Sequence, residues 1–428
     1  MQWTIAIVAA ALLLVAAISR RLSGTPVTPA MVLVACGLLV GPDLLGGIDL
    51  SRGSGAVRDL AEATLALVLF CDASRVDLRQ LRGAAGVPAR LLGLGLPLTI
   101  ALGALAAALV FGQLSLGEAL IVGVILAPTD AALGQAVVSE ESVPARIRQG
   151  LNVESGLNDG VCVPLLFAAV AAADVESSIS GGRGAVQLLL QEVGYGALGG
   201  LAAGAAVTAI VVFCGRRDLI TGAWRQVLPA AGAALGYGLA SGLGGSGFVA
   251  AFVAGLSFRA LLGRDPAELN RFSEELGGVL GGITFLIFGA ILLEPAIGQL
   301  DWRLALYAVL SLTVVRMAPV ALAMLGSGAR PPTVAFLGWF GPRGLASIVF
   351  ALIVIEESEL PGQSLIANIA YLTVGLSVLA HGISASPLAR RYGRWWARSG
   401  SAEAMEGART EVTRARGAPP GGRAAGLD

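Results

Sequence analysis

Long apolar runs dominate the sequence and restrict the folds that this chain can adopt. Thirteen runs, most of them close to 20 residues long, follow one another along the chain. A helix needs about 20 mostly apolar residues to cross the hydrocarbon core of a bilayer. Only 14% of the residues are charged, whereas soluble domains have about 25%. The pattern predicts an all-α polytopic membrane protein with about 13 transmembrane helices. The predicted segments are residues 3–19, 26–42, 56–73, 88–112, 117–139, 146–174, 185–214, 223–241, 245–262, 272–294, 303–325, 333–356 and 364–387.

Arginine, which supplies all 29 basic residues, predicts the orientation of the chain. Loops after odd-numbered segments hold most of the arginines in the membrane region. Loops after even-numbered segments hold only four, which are Arg52, Arg58, Arg183 and Arg303. Because cytoplasmic loops carry the excess of basic residues, we expect the N-terminus outside the cytoplasmic (inner) membrane and the C-terminus in the cytoplasm. The formal net charge is zero, which excludes a general attraction to nucleic acid.

Three carboxylates, Asp130, Glu154 and Asp159, interrupt the fifth and sixth segments. Ionisable groups at membrane depth are costly and indicate a functional site. Pro128 removes a backbone donor in the fifth segment and disfavours a helical conformation at Ala127. We therefore expect a broken helix with free carbonyls and with Asp130 at the start of its second half. The alternative is a kinked helix in which Asp130 is only a cap.

The sixth segment has polar side chains on two adjacent helical faces. Asn152, Ser155 and Asp159 share one face, and Glu154 and Asn158 share the next one. The oxygen atoms of the first face suit a hard monovalent cation, by extension from hard cations in general. A polar contact between two helices is the alternative.

The twelfth segment contains a second break, Gly341-Pro342-Arg343-Gly344. Broken segments at corresponding positions of two halves indicate an inverted-repeat transporter, here with segments 4–6 and 11–13 as the paired units. A lone guanidinium in hydrocarbon is strongly disfavoured, so we expect Arg343 to pair with Glu154, and Asn158 to orient Glu154. We expect Arg316, in the eleventh segment, to be paired or to extend to the membrane surface.

Other polar residues leave alternatives open. Asp72, at the end of the third segment, is either part of a cytoplasmic entry funnel or a solvated helix end. His381, the single histidine, is expected to be structural or interfacial. One histidine, and cysteines without metal-binding spacing, do not suit a metal centre or an activated nucleophile. We therefore expect a protein that is not an enzyme. A cation channel could also use carboxylates of this kind.

Four segments carry a resemblance to a known family. They are APTDAAL at 127–133, VPARIRQGLNVESGLNDG at 143–160, GSGFVAAFVAGL at 245–256 and WFGPRGLASI at 339–348. In sequence, order and spacing they resemble the monovalent cation/proton antiporters, in particular the bacterial NhaP-type sodium/proton antiporters. The match extends from about residue 5 to residue 390.

This resemblance implies an NhaA-like inverted-repeat fold with two broken helices that cross at the ion site. It implies that Asp159 exchanges cation and proton, with Asp130, Thr129 and Ser155 as co-ligands of Na⁺. Because Asn158 precedes Asp159, it implies electroneutral exchange of Na⁺ or Li⁺ for H⁺, without a cofactor. A K⁺/H⁺ antiporter is the alternative on this scaffold.

The resemblance also implies a division of the chain into domains and a homodimer. The expected parts are dimerisation-domain helices at 1–87, a core repeat at 88–174, linking and dimerisation helices at 185–294, an inverted core repeat at 303–388 and a disordered cytoplasmic tail at 389–428.

Overall fold

The computed structural model describes residues 2–22, 25–42, 55–76, 86–177, 183–358 and 360–399. All regular secondary structure in these residues is helical. The helices longer than one turn are α1 (Gln2–Leu22), α2 (Pro29–Val40), α3 (Gly55–Arg75), α4 (Gly86–Val110), α5 (Leu116–Ile125), α6 (Ala145–Ser177), α7 (Arg183–Arg216), α8 (Gly222–Gly242), α9 (Gly247–Leu262), α10 (Ala267–Gly298), α11 (Trp302–Ala323), α12 (Pro331–Trp339), α13 (Leu345–Glu357) and α14 (Gln363–Ser399).

The apolar helices confirm a multi-pass membrane protein. Seven helices in the described ranges are long and apolar enough to cross a membrane, and α2, α5, α9 and α13 are shorter apolar helices. Each predicted segment overlaps a described helix. Since several helices are short or interrupted, the number of 13 crossings stays a prediction.

Both predicted interruptions are present, and they differ in form. The first break, residues 126–134, follows α5 and leads only to a one-turn helix, Gln135–Val138. The second break, residues 340–344, lies between α12 and α13. Proline and glycine in these breaks remove backbone donors and helix propensity, which is why the helical ladder stops there.

Helix α14 continues past the predicted end of the membrane region. Residues 389–399, predicted as part of a disordered tail, are helical. The reason is aromatic packing: the ring of Tyr392 stacks on Phe336 of α12 at 4.1 Å between centroids, and Trp395 packs on Tyr392 at 5.5 Å. Residues 400–428 of the predicted tail lie outside the described residues.

Small residues allow close helix packing around α9. Gly200 and Gly204 of α7 lie against the backbone of α9, and Gly255 of α9 lies against the backbone of α3 at Phe70. A Cβ atom at any of these glycines would overlap the neighbouring helix. The small residues of α9 and its neighbours thus form a helix-packing surface. Helix α3, in turn, contacts α6, α9, α10 and α13, so it lies beside both the sixth and the twelfth segments.

Candidate functional site

The two breaks contact each other directly. The backbone N–H of Asp130 donates to the carbonyl of Pro342 at 2.8 Å. The hydroxyl of Ser347, in the first turn of α13, donates to the carbonyl of Ile125 at the end of α5, at 2.7 Å. Backbone groups that the breaks release from the helices are thereby satisfied by the opposite segment, as burial away from water requires.

Asp130 caps a helix that belongs to the other break. Its Oδ2 accepts from the N–H of Leu345, at the start of α13, at 2.9 Å. Its Oδ1 accepts from the N–H groups of Ala132 and Leu133 at 2.7 and 3.2 Å. A Cβ atom on Gly344 would overlap this carboxylate, so the position before α13 is occupied by Asp130 instead of a local side chain. An anion at a helix N-terminus is stabilised by the helix dipole.

Arg343 of the second break binds the C-terminal end of α5, next to the first break. Its side chain is fully buried, and Nη1 donates to the carbonyls of Ala127 and Pro128 at 2.7 and 3.2 Å. These are carbonyls released at the C-terminal end of α5, where a cation is favourable. The expectation of free carbonyls at this break is therefore wrong for these two. The backbone N–H of Arg343 donates to Ser377 of α14 at 2.7 Å.

Glu154 pairs with Arg316, and the predicted pair of Glu154 with Arg343 is wrong. Both terminal nitrogens of Arg316, Nη1 and Nη2, donate to the Glu154 carboxylate, at 2.6 and 2.9 Å. The two side chains are almost completely buried. The planar fork of Arg316 matches the carboxylate end-on, while the guanidinium of Arg343 is held at the end of α5. Gly341 lies against the Arg316 guanidinium, with no space for a Cβ atom.

Asn158 binds the first break and was wrongly expected to orient Glu154. Its Nδ2 donates to the hydroxyl of Thr129 at 2.7 Å, and Ser155 donates to the carbonyl of Thr129. A cavity of about 20 Å³ is lined by Thr129, Asp130 and Ser155, together with apolar side chains. That volume accommodates about one water-sized particle. The structure thus brings together all three expected co-ligands, Thr129, Asp130 and Ser155, and places Asn158 beside them.

Asp159 is a buried carboxylate with an unbonded oxygen. Its side chain is 7% exposed, and Oδ1 has no hydrogen-bond partner among the described residues. Asp130 and Asp72 lie close enough to act on it electrostatically. Asp72, on α3, packs on Gly156 of α6: a Cβ there would be 3.2 Å from the Asp72 Cβ. Since Gly156 is one helical turn from Asp159, Asp72 lies beside the site.

Known proteins share this arrangement of segments. The family described as "Sodium/hydrogen exchanger, transmembrane" matches residues 7–391. The chain belongs to this family.

Similar proteins extend this result. The chain is 29% identical over 402 residues to the K(+)/H(+) antiporter NhaP2 of Shewanella sp. (strain ANA-3). It is 26% identical over 377 residues to the K(+)/H(+) antiporter NhaP of Alkalimonas amylolytica. These matches cover 90% and 87% of this chain but 66% and 63% of the relatives, so it spans less than two thirds of their length. A Na(+)/H(+) antiporter of Schizosaccharomyces pombe is 29% identical over 255 residues, 56% of this chain and 53% of the relative.

The fold also has a solved counterpart. The sodium proton antiporter MjNhaP1 from Methanocaldococcus jannaschii, solved at pH 8, superposes with a TM-score of 0.74. The superposition covers 90% of this chain and 98% of the solved one, at 19% sequence identity. The resemblance to NhaP-type monovalent cation/proton antiporters is therefore confirmed.

Two supporting residues were not predicted for this site. Ser377 accepts from the backbone of Arg343, and Nδ1 of His381 lies 3.1 Å from the Ser377 hydroxyl. Nε2 of His381 lies 2.9 Å from the carbonyl of Trp339, the last residue of α12. His381 is 2% exposed, and it joins α14 to the second break, which is a structural role. The signal in the sequence was the i, i+4 spacing of Ser377 and His381 on one helical face.

Proposed function

We propose that this chain is a secondary active antiporter that exchanges Na⁺ or Li⁺ for H⁺ across the cytoplasmic membrane. Asp159 holds either the cation or the proton. The observation that carries the proposal is the contrast between this carboxylate, with its unbonded Oδ1, and the other two carboxylates of the site, Glu154 and Asp130. Glu154 is engaged by Arg316, and both oxygens of Asp130 accept backbone N–H groups.

Competition for Asp159 then follows from its burial. An ionised carboxylate that is removed from water without a partner is strongly unfavourable. A proton or a monovalent cation removes that cost, and each excludes the other from the same oxygen atoms. A site that must be loaded with one of two ions before it crosses the membrane couples their movements, whereas a channel needs no such coupling.

Oxygen atoms around Asp159 suit the cation as a substrate. Asp130, Thr129 and Ser155 are the proposed co-ligands, because their side chains line the small cavity at the first break. A carboxylate has about four lone-pair positions, so Asp130 can cap α13 and still contribute to a cation. Asp72, which packs on Gly156, is the proposed cytoplasmic entry group.

The fold supports an alternating-access mechanism for this exchange. The proposed core consists of the inverted repeats at 88–174 and 303–388, with the two breaks crossing at its centre. It would move against a dimerisation domain formed by 1–87 and 185–294 in a homodimer, with the N-terminus outside and the C-terminus in the cytoplasm. Helix α3, which contacts α6 and α13, lies at the proposed boundary between core and dimerisation domain.

K⁺ is a second candidate for the transported cation. The two bacterial relatives are named K(+)/H(+) antiporters, whereas the yeast relative and MjNhaP1 are named for sodium. Na⁺ and K⁺ accept the same oxygen ligands, so the size of the loaded site decides between them. K⁺/H⁺ exchange by the same carboxylate is therefore the alternative proposal.

The substitution Asp159→Asn tests the proposal, because an amide neither binds a proton nor offers an anionic oxygen. In everted vesicles with a pH-sensitive dye, we expect the variant to lose the proton movement that added Na⁺, Li⁺ or K⁺ causes. Asp265→Asn is the matched control: Asp265 is exposed and its Oδ1 accepts from the N–H of Ala267 at 3.0 Å. Cation-dependent proton movement that persists in Asp159→Asn contradicts the proposal.

The same vesicles separate exchange from conduction. The proposed exchange carries equal charge in both directions, so an imposed membrane potential should leave its rate unchanged. A channel would instead pass cations without proton counter-transport and would follow the potential. The relative response to Na⁺, Li⁺ and K⁺ at several pH values identifies the cation.

A further inference from the structure

A second cavity lies away from the ion site, at the C-terminal end of α14. It has a volume of about 540 Å³ and is lined by Arg390, Arg394 and Pro387 of α14 and by Glu140 and Ser142 of the loop before α6. Sites for small ligands have volumes of about 300–1,000 Å³. This cavity is therefore large enough for a bound group, and its lining is mostly charged or polar.

The position of the cavity along α14 places it at the membrane surface. Helix α14 has 37 residues, which corresponds to a length of about 55 Å, whereas the hydrocarbon core is about 30 Å thick and the whole bilayer about 40–45 Å. Arg390 lies about 40 Å along the helix from Gln363. The last turns therefore reach the headgroup layer when α14 begins near the opposite surface.

Aromatic side chains also indicate that this end of α14 lies at the membrane surface. Trp395 and Trp396 follow Arg394 directly, and the guanidinium of Arg146 lies over the Trp396 ring at 5.1 Å from its centroid. Tryptophan is enriched at the boundary between hydrocarbon and headgroups. The cavity thus opens where lipid headgroups are the most abundant phosphate compounds.

The charges of the cavity select the kind of phosphate. Arg390 and Arg394 contribute two positive charges and Glu140 one negative charge, so the lining has a net charge of +1. Glu140 also holds the loop, because its Oε1 accepts from the hydroxyl of Ser142 at 2.9 Å. Guanidinium groups bind phosphate oxygens with matching geometry. A phosphodiester, with one negative charge, balances this lining, whereas free phosphate at neutral pH has a larger charge that Glu140 repels.

We propose that this cavity binds the phosphodiester headgroup of an anionic membrane lipid. Basic pockets at the cytoplasmic ends of membrane helices bind such headgroups, and the distribution of arginine predicts that this end of α14 is cytoplasmic. The ligand joins α14 to the loop at 139–144 that leads into α6.

The loop at 139–144 already contacts both α14 and α6. A bound lipid therefore acts on the segment that leads into α6. Gly393 of α14 packs on Ser142 so closely that a Cβ atom would overlap the Ser142 hydroxyl. Arg148 of α6 donates to the carbonyls of Val143 and Val138 at 3.0 and 3.2 Å. A headgroup in the cavity therefore stabilises the contact between α14 and α6, the helix that contains Asp159.

Thermal unfolding of the purified full chain tests the proposal. In neutral detergent with phosphatidylcholine as reference, we expect added phosphatidylglycerol to raise the unfolding midpoint by about 3 °C or more. The double substitution Arg390→Gln/Arg394→Gln should abolish this shift, measured against the midpoint of the same variant in phosphatidylcholine. Arg391→Gln is the matched control, since Arg391 is exposed on the same turn and does not line the cavity. Native mass spectrometry should find retained phosphatidylglycerol in the unsubstituted chain and the control, and less in the double variant.

Three results would overturn the proposal. The first is an equal shift in all three proteins, which would place the lipid elsewhere. The second is an equal loss in Arg391→Gln, which would indicate a general attraction to positive charge. The third is the same shift when inorganic phosphate replaces phosphatidylglycerol, which would assign the site to free phosphate.

Discussion

The two breaks contribute opposite charges to each other's helices, but their exposure differs. The first break places Asp130, which is partly exposed and borders a small cavity, at the start of α13. The second break places Arg343, which is fully buried, at the end of α5. The carboxylate of Asp130 is thus accessible to a ligand, whereas the guanidinium of Arg343 is inaccessible. We infer that the first break takes part in binding and that the second maintains the scaffold.

Loss of the buried charge of Arg343 should have the largest effect on stability. Arg343→Gln removes two charge-assisted hydrogen bonds and leaves the carbonyls of Ala127 and Pro128 without the cation. We expect the free energy of unfolding, measured by chemical denaturation in detergent, to fall by about 3 kcal/mol. Arg271→Gln, which removes an exposed pair with Glu275, should change it by less than about 1 kcal/mol. Equal small effects of both substitutions would contradict the scaffold role.

Two glycines allow the breaks to be perturbed separately. A Cβ atom on Gly341 meets the Arg316 guanidinium, and one on Gly344 meets the Asp130 carboxylate. We expect Gly341→Ala to lower the free energy of unfolding by about 2 kcal/mol, because it displaces a buried ion pair. Gly344→Ala should mainly weaken cation binding, seen as a higher cation concentration for half-maximal exchange.

The control for this pair is Gly278→Ala on α10, where a Cβ atom meets nothing within 4 Å. It should leave the cation dependence unchanged and should not lower the free energy of unfolding, because alanine favours a helix over glycine. If Gly341→Ala and Gly344→Ala instead have the same profile of stability and cation affinity, the two breaks do not have separate roles.

The smallest effect on stability is expected for Asp130→Asn. Asparagine keeps one acceptor oxygen, so the loss of the charge at the start of α13 should reduce the free energy of unfolding by about 1 kcal/mol. If Asp130 is also a ligand, the cation concentration for half-maximal exchange rises by about tenfold or more, which corresponds to about 1.4 kcal/mol. A loss of stability with unchanged cation dependence would show that Asp130 is only a cap.

The positions of the breaks could be predicted from sequence, but their partners could not. Pro128 and the Gly341–Gly344 stretch interrupt helices by local backbone chemistry, which a sequence records directly. Two buried arginines, Arg316 and Arg343, could each have neutralised Glu154. The choice depends on how α11 and the second break pack around α6, and spacing within one segment contains no information about that.

The end of α14 illustrates a second limit. Apolar content falls after residue 387, and hydropathy alone therefore predicts the end of the segment there. The helix continues because Tyr392 stacks on Phe336 of α12 and Trp395 packs on Tyr392. A one-sided aromatic surface of this kind is stabilised by tertiary contact, which average hydropathy does not detect.

The two buried guanidinium groups limit how many protons one transport cycle can move. Arginine keeps its proton under all physiological conditions, whereas a buried lysine could release one. Arg316 and Arg343 therefore contribute fixed charges and no exchangeable protons. Glu154 is held as the anionic partner of Arg316, and Asp130 is held by backbone donors. With Asp159 as the exchanging group, the stoichiometry of the proposed antiporter is one proton for each monovalent cation.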